Sequence, residues 1–222
     1  MCSPPFAFNK SFISCTSDAL LTNEAAIKSK VFDKIVVSTD SSEIAEIAQR
    51  YGAEVPFIRP KDLSGDFSSS DDVVLHAIDY FKRKGKEFEY VCKLQPTSPL
   101  RNETHIMEAY QLLKDSNSNF VVSVCECEHS PLWTGTLDEK KSLNRFINEY
   151  VKGACRQKLP KYYRLNGAIY MGKTEAFEDN KSFFGKNGTA FIMNQEESID
   201  IDSLLDFKIV EIIIKDIKEN FS

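Results

Sequence analysis

Apolar residues along the chain fall into short β-branched runs and longer stretches of helical spacing, and the two kinds alternate. Residues 34–39, "KIVVST", form an apolar run that ends in Asp40. In the next stretch, "SSEIAEIAQRYG", Ile44, Ala45, Ile47 and Ala48 share a face, serines stand ahead as caps and Gly52 stands as the stop. That pattern predicts a capped amphipathic helix. "AEVPFIRP" is a short extended segment broken by prolines. "SSSDDVVLHAIDYFKRKG" predicts a second helix, with Val73, Val74, Ala77, Ile78 and Phe81 inward and Gly85 as its stop. "EYVCKLQ" predicts a strand, "NETHIMEAYQLLKD" a helix with Ile106, Ala109, Tyr110 and Leu113 in register, and "FVVSVCE" a third strand. Strands alternating with helices of ten or more residues predict βαβ units. The expected class is α/β, a Rossmann-like, mostly parallel sheet flanked by helices.

The rhythm breaks after Glu128. Residues 129–165 carry the lone Trp133, much charge and no clean period, and such a segment in a compact domain is usually functional. Order returns with "LNGAIYM", expected as a strand entered through an Asn-Gly turn, and the chain finishes with "ESIDIDSLLDFKIVEIIIKDIKEN", expected as a strand running into a long helix. No internal repeat or low-complexity linker divides the chain, so residues 1–222 are read as one domain.

Composition changes this picture little. At 222 residues, 42% hydrophobic and 27% charged, the chain can bury a sizeable core. A formal net charge of -5 leaves no basic surplus for a nucleic-acid polymer, although one nucleotide needs only a few local cations. No apolar run reaches the length of a membrane span, and the first residues lack the pattern of a secretory signal. The six cysteines are scattered, and Cys125-Glu126-Cys127 has the wrong spacing for a zinc knuckle. Reduced structural cysteines in a cytoplasmic protein are the expectation.

In an open parallel sheet, ligands bind beyond the carboxyl ends of the strands. Three polar features fall there: Asp40, the run Gln95-Pro96-Thr97-Ser98-Pro99-Leu100-Arg101, and the pair Asp200 and Asp202. Two prolines stiffen the run. Gln95, Thr97 and Ser98 offer groups suited to sugar hydroxyls, and Arg101 offers a cation; the bland alternative is Asn102 as a helix cap with prolines shaping its entry. On a strand, Asp200 and Asp202 would face one side and share a hard divalent cation, while Asp202 reads equally as a cap for the helix that follows. Arg59 reads first as a solvated arginine and Ser70 first as part of a capping signature. His76, His105 and His129 read as surface or helix-face residues. Nucleophile elbow, P-loop and HExxH motifs are absent, which removes those hydrolase and NTPase classes.

Four quoted segments, "FDKIVVSTDSSEIAEIAQRYGAEVPFIRP", "LQPTSPLR", "RQKLPKYYRLNGAIYM" and "SIDIDSLLDF", resemble the acylneuraminate cytidylyltransferases in content and order, over about residues 25 to 215. "EHSPLWTGTL" is more similar to bacterial relatives acting on legionaminic-type sugars. The resemblance implies transfer of CMP from CTP to a nine-carbon keto acid sugar (sialic or legionaminic type), with release of pyrophosphate and Mg²⁺ as cofactor. It implies Arg59 and Ser70 beside the cytidine, Gln95 at the sugar, Arg101 beneath the loop, and Asp200 and Asp202 on the metal as catalytic residues. It also implies that residues 129–165 form a protruding dimerisation arm of a homodimer, carrying Arg156 and Gln157 to the partner's sugar.

In one place the sequence departs from the family. Family members open with a strand and an Ala-Arg-x-Gly-Ser-Lys-type loop that cradles the triphosphate, and residues 1–24 contain no such run. The expectation is therefore impaired transfer by this form, since such a clamp is worth several kcal/mol to a barrier. Two alternatives stay open: a non-catalytic sugar-binding or dimer-forming remnant, and a sugar nucleotidyltransferase of different base choice.

Overall fold

Side-chain caps open the three helices that come after α1 (Phe12–Ser29) in the chain. Ser41 Oγ accepts from Ile44 N ahead of α2 (Ser42–Arg50), and Ser69 Oγ accepts from Asp71 N ahead of α3 (Ser70–Arg83). Asn102 Oδ1 accepts from His105 N ahead of α4 (Glu103–Asp115), and His105 Nδ1 accepts in return from Asn102 N, 3.2 Å away. This computed structural model describes residues 12–65, 68–143, 146–147, 151, 153, 155, 157 and 159–220. The three expected helices lie where their periodicity placed them. His105 departs from its expected surface position: it is buried, closing the cap box.

The strands β1 (Tyr90–Lys93), β2 (Phe120–Glu126), β3 (Tyr163–Lys173) and β4 (Gly188–Ile192) form a sheet in the order β1-β3-β2-β4. β3 is antiparallel to both neighbours and β2 is parallel to β4. Three strands therefore share one direction, and β3 runs against them. Along β2, Val121 packs with Ile106, Ala109 and Leu113 of α4, while Phe120 and Val122 pack with Phe177, Phe183 and the apolar side of α3. The alternation puts helices on both faces of the sheet.

Several local expectations are corrected. "KIVVST" makes only an isolated bridge, Val36 to Glu54, with Val37 N donating to Glu54 O at 2.9 Å. A cavity of about 220 Å³ is lined by this segment and by Cys92 and Leu94. The Thr22, Asn23 and Ser38 side chains that also line it include buried polar atoms without a hydrogen-bond partner. The Asn166-Gly167 pair is interior to β3 rather than its entry, because the strand starts at Tyr163. The register there shifts from Val122↔Tyr170 to Val124↔Leu165, so β3 bulges between. Residues 199–203 form no strand, although α6 (Leu204–Asn220) follows as expected. α5 (Thr174–Asn180) and β4 were not foreseen; both are short, and "GTAFI" has little alternation to signal them.

Of the 129–165 segment, Pro131–Trp133 form a 3₁₀ turn, and Tyr163, Arg164 and Leu165 already pair with β2. Arg156 lies outside the described residues, and Gln157 is exposed. Cys92, Cys125, Cys127 and Cys155 are free thiols. Among the described residues, no helix is long and apolar enough to cross a membrane.

Candidate active site

The run from Gln95 to Arg101 leaves the carboxyl end of β1 and is anchored from below. Arg101 is only 2% exposed, and its Nη1 donates to the carbonyls of Gln95 and Ala168, each at 3.1 Å. It therefore locks the loop to β3 from beneath. Burial pushes the guanidinium pKa down to about 10. Ser98 is fully buried and donates through Oγ to Asn166 O at 3.2 Å. Asn166 in turn accepts at Oδ1 from Ser123 Oγ, 2.6 Å away, and donates to Ser198 Oγ at 2.9 Å. Ser98, Ser123, Asn166 and Ser198 thus form a hydrogen-bonded polar core beneath the loop.

Gly167 shows where the loop's upper side points. Its φ is +75°, a conformation costly for any other residue, and a Cβ there would lie 2.7 Å from Gln95 Oε1, 3.2 Å from Ser98 Oγ and 3.4 Å from Asp200 Oδ2. Gln95, Ser98 and Asp200 thus converge on one bare stretch of backbone. Ile201 N donates to Thr97 O at 2.8 Å and straps the Asp200–Asp202 segment to the loop. The strand expected to align Asp200 and Asp202 is absent.

Their environments differ. Asp200 is half-buried, and its Oδ1 has no hydrogen-bond partner. Burial holds its carboxyl above the usual carboxylate range; a hydrogen bond from Thr97 opposes the shift and the charge of Asp202 adds to it. Asp202 is exposed, and it does not cap α6. That role belongs to Ser203, whose Oγ accepts from Asp206 N at 3.3 Å while Asp206 Oδ2 accepts from Ser203 N at 2.8 Å. Among the described residues no three His, Cys, Asp or Glu side chains gather as a metal cage. Two hard carboxylates, one with an unpartnered oxygen, suit a cation that keeps water and phosphate oxygens as its other ligands.

Ser70 opens α3 and is exposed; its Oγ accepts from Lys93 Nζ at 2.9 Å. Lys93 also pairs with Asp71 Oδ1 at 2.7 Å and lies 4.4 Å over the Tyr170 ring. Sequence reasoning missed Lys93 and Tyr170. The available signal was a lysine ending an apolar strand two residues before a candidate loop. Arg59 takes other partners. Its Nε donates to Ser64 Oγ at 3.1 Å, and its Nη2 lies 3.4 Å from Asp40 Oδ1. A broader groove of about 1140 Å³, lined by Glu24, Lys28, Asn102, Tyr163 and Ile213 among others, includes Arg101 but neither Gln95 nor either aspartate.

Gln95, Ser98 and Asp200 thus gather over Gly167, beyond the carboxyl end of β1. The chain matches the cytidylyltransferase family over residues 20–180 and belongs to that family. It is 32% identical over 192 residues to the pseudaminic acid cytidylyltransferase of Campylobacter jejuni, covering 86% of this chain and 82% of that protein. It is 38% identical to a CMP-N,N'-diacetyllegionaminic acid synthase of the same species, over 85% of this chain and 80% of that one. The N-acylneuraminate cytidylyltransferase of Escherichia coli is 35% identical over 90% of this chain, which spans only 47% of that longer protein. A CMP:2-keto-3-deoxy-manno-octonic acid synthetase solved with CTP shares the fold, with a TM-score of 0.60 at 13% identity over 89% of this chain and 88% of that one.

Proposed function

We propose that this chain transfers CMP from CTP to a nine-carbon keto acid sugar of the nonulosonic type. The observation that carries the reading is the convergence of Gln95, Ser98 and Asp200 on Gly167, in a chain of the cytidylyltransferase family. The sugar's anomeric oxygen attacks the α-phosphorus of CTP, forming the new P–O bond. The bond to pyrophosphate breaks, and the hydroxyl proton passes to solvent water.

In this reading Gln95 orients the sugar through its amide, and the Arg101 lock keeps Gln95 in place without further ordering when the sugar arrives. Asp200 and Asp202 would hold Mg²⁺, which when bound supplies positive charge to the phosphate oxygens. Ser70 lies on the cytidine side; Arg59 joins it there as the loop residue bonded to Asp40 and Ser64. The working form is a homodimer through the 129–165 arm, with Arg156 and the exposed Gln157 reaching the partner's sugar. Four free thiols among the described residues fit a cytoplasmic setting.

The test is a pyrophosphate-release assay with CTP, Mg²⁺ and each of N-acetylneuraminic, legionaminic and pseudaminic acid. It is run on the 222-residue chain and on the same chain with an Ala-Arg-x-Gly-Ser-Lys-type segment added ahead of Met1. Turnover with one of these acids, in either form, supports the reading. No turnover in either form, with no CTP binding by calorimetry, sinks it and leaves a non-catalytic role. Sedimentation at tens of micromolar should give a dimer, and a monomer there would remove the arm's part.

A further inference from the structure

Lys93 is placed where the two sides of the site meet. Its side chain is only 15% exposed, and its ammonium is held from two directions. On one side stand Ser70 Oγ at 2.9 Å and Asp71 Oδ1 at 2.7 Å, both at the start of α3. On the other stand the Tyr170 ring at 4.4 Å and the Phe183 ring at 5.3 Å. Lys93 and Tyr170 are direct cross-strand partners on β1 and β3, so they share one face of the sheet. Tyr170 is within electrostatic reach of both Asp71 and Asp200: burial first, then those two carboxylates, hold its phenol above the usual range.

These contacts run from Ser70 and Asp71 through Lys93 to the Tyr170 ring, and Asp200 acts on Tyr170 through its charge. The rings of Tyr170 and Phe183 alone do not call for an ammonium, since they offer it no hydrogen-bond acceptor. The charge is what reaches α3. A lysine stem is otherwise free to take many rotamers, and its three N–H donors have no fixed direction. Here the carboxylate, the hydroxyl and two ring faces restrict it to one arrangement. The opening turn of α3 and the Tyr170 ring are thereby held at a set separation.

We infer that Lys93 is a positioning residue that ties the nucleotide side of the site, at Ser70, to the acceptor side, at Tyr170 and Asp200, so that both substrates depend on its charge. The inference rests on the cytidyl-transfer reading above. It predicts that Lys93→Met, which keeps the stem and removes the charge, raises the KM for CTP and the KM for the acceptor sugar together, each about tenfold. Lys93→Arg keeps a cation and should bring both back to within about threefold of the parent. Ser70→Ala, by contrast, should move the CTP value alone.

A ligand-free readout accompanies the kinetics: 3-fluorotyrosine at position 170, followed by ¹⁹F NMR in the parent protein, Lys93→Met and Lys93→Arg. The resonance should move or broaden in Lys93→Met and return in Lys93→Arg. An unmoved Tyr170 resonance overturns the inference, and so does a melting temperature that drops while both KM values stay put. A change in one KM only also overturns it. Parent protein that neither binds CTP nor turns over sinks the cytidyl-transfer reading, and this inference with it. The parent measurements come first, so the two failures are told apart.

Discussion

The Gln95–Arg101 loop and the Ser198–Asp206 stretch meet at Thr97, which bonds to Ile201 N and to Asp200, yet they are built on opposite plans. The loop is held from the inside. Arg101 and Ser98 are almost wholly buried, and each bonds to β3 backbone. The aspartate stretch is held from its ends, by the buried Ser198 on one side and the Ser203–Asp206 cap on the other, and it leaves Asp202 in solvent. The loop spends a buried cation on shape. The aspartate stretch keeps its charge for whatever arrives. A site that must fix the hydroxyls of a sugar acid and also balance a polyphosphate needs both kinds of wall.

The largest effect that would sharpen this contrast is on the loop's anchor. Arg101→Ala removes a fully packed side chain and strands the carbonyls of Gln95 and Ala168, both bonded to Nη1. It should lower stability by about 3–5 kcal/mol in urea unfolding. Lysine at 101 should lose less, since its stem fills much of the space but its single nitrogen replaces the planar fork poorly. Arg101 Nε and Nη2 have no protein partner, so part of the guanidinium's desolvation is uncompensated. A loss below about 1 kcal/mol for Arg101→Ala would show that the lock is not needed.

Second come the two aspartates, where function and stability should separate. Asp200→Asn and Asp202→Asn should each cut transfer on the order of 10²-fold or more, in whichever form of the chain turns over. Their stability effects should differ. The folded state raises the Asp200 pKa, so folding favours the protonated form. Its contribution is fully present below the unfolded carboxylate pKa and is lost as pH rises through the folded value. At neutral pH, Asp200→Asn should therefore raise the melting temperature, and it should flatten the stability slope just above the ordinary carboxylate range. Asp202 is exposed and caps nothing, so Asp202→Asn should leave stability within about 0.5 kcal/mol. Equal stability losses in both variants would contradict this division.

Legibility in the sequence followed the same divide. Helices α2, α3 and α4 were readable because period, cap and stop agree over ten or more residues. The loop's position is readable from its prolines, and the resemblance implies Arg101 beneath it, but the residues alone do not give its partner: "PLR" looks alike whether Arg101 points to solvent or to Ala168 O, 67 residues away. Gly167 was taken for part of a turn because Asn-Gly is a turn signal. Only the fold shows that it clears space for Gln95. The strand that alternation predicts for Asp200 and Asp202 does not form: the stretch is irregular backbone strapped to Thr97, with Asp200 half-buried and Asp202 exposed. Lys93 stayed hidden since its partners, Ser70, Asp71 and Tyr170, are distant in sequence.

The smallest effect separates the cap from the carboxylate beside it. Ser203 and Asp206 exchange hydrogen bonds at the start of α6: Oγ of Ser203 accepts from Asp206 N, while Asp206 Oδ2 accepts from Ser203 N and from Ser203 Oγ, 2.6 Å away. Asp202 N also lies 3.3 Å from the same Asp206 oxygen, so the cap reaches one residue back toward the site. Ser203→Ala removes one half of this exchange and should cost about 0.5–2 kcal/mol, the range for a lost helix cap. The loss should be local. Leu204, Leu205 and Ile212 on α6 are exposed, so little burial is lost if the first turn frays. Hydrogen exchange should quicken at residues 204–207 and leave the Ile201 amide, bonded to Thr97, protected. Transfer should then persist within about threefold, because the strap and not the cap holds Asp200 to the loop. If Ser203→Ala instead deprotects Ile201 and abolishes transfer, the aspartate stretch is held from the helix end alone, and the two-ended support drawn here is wrong.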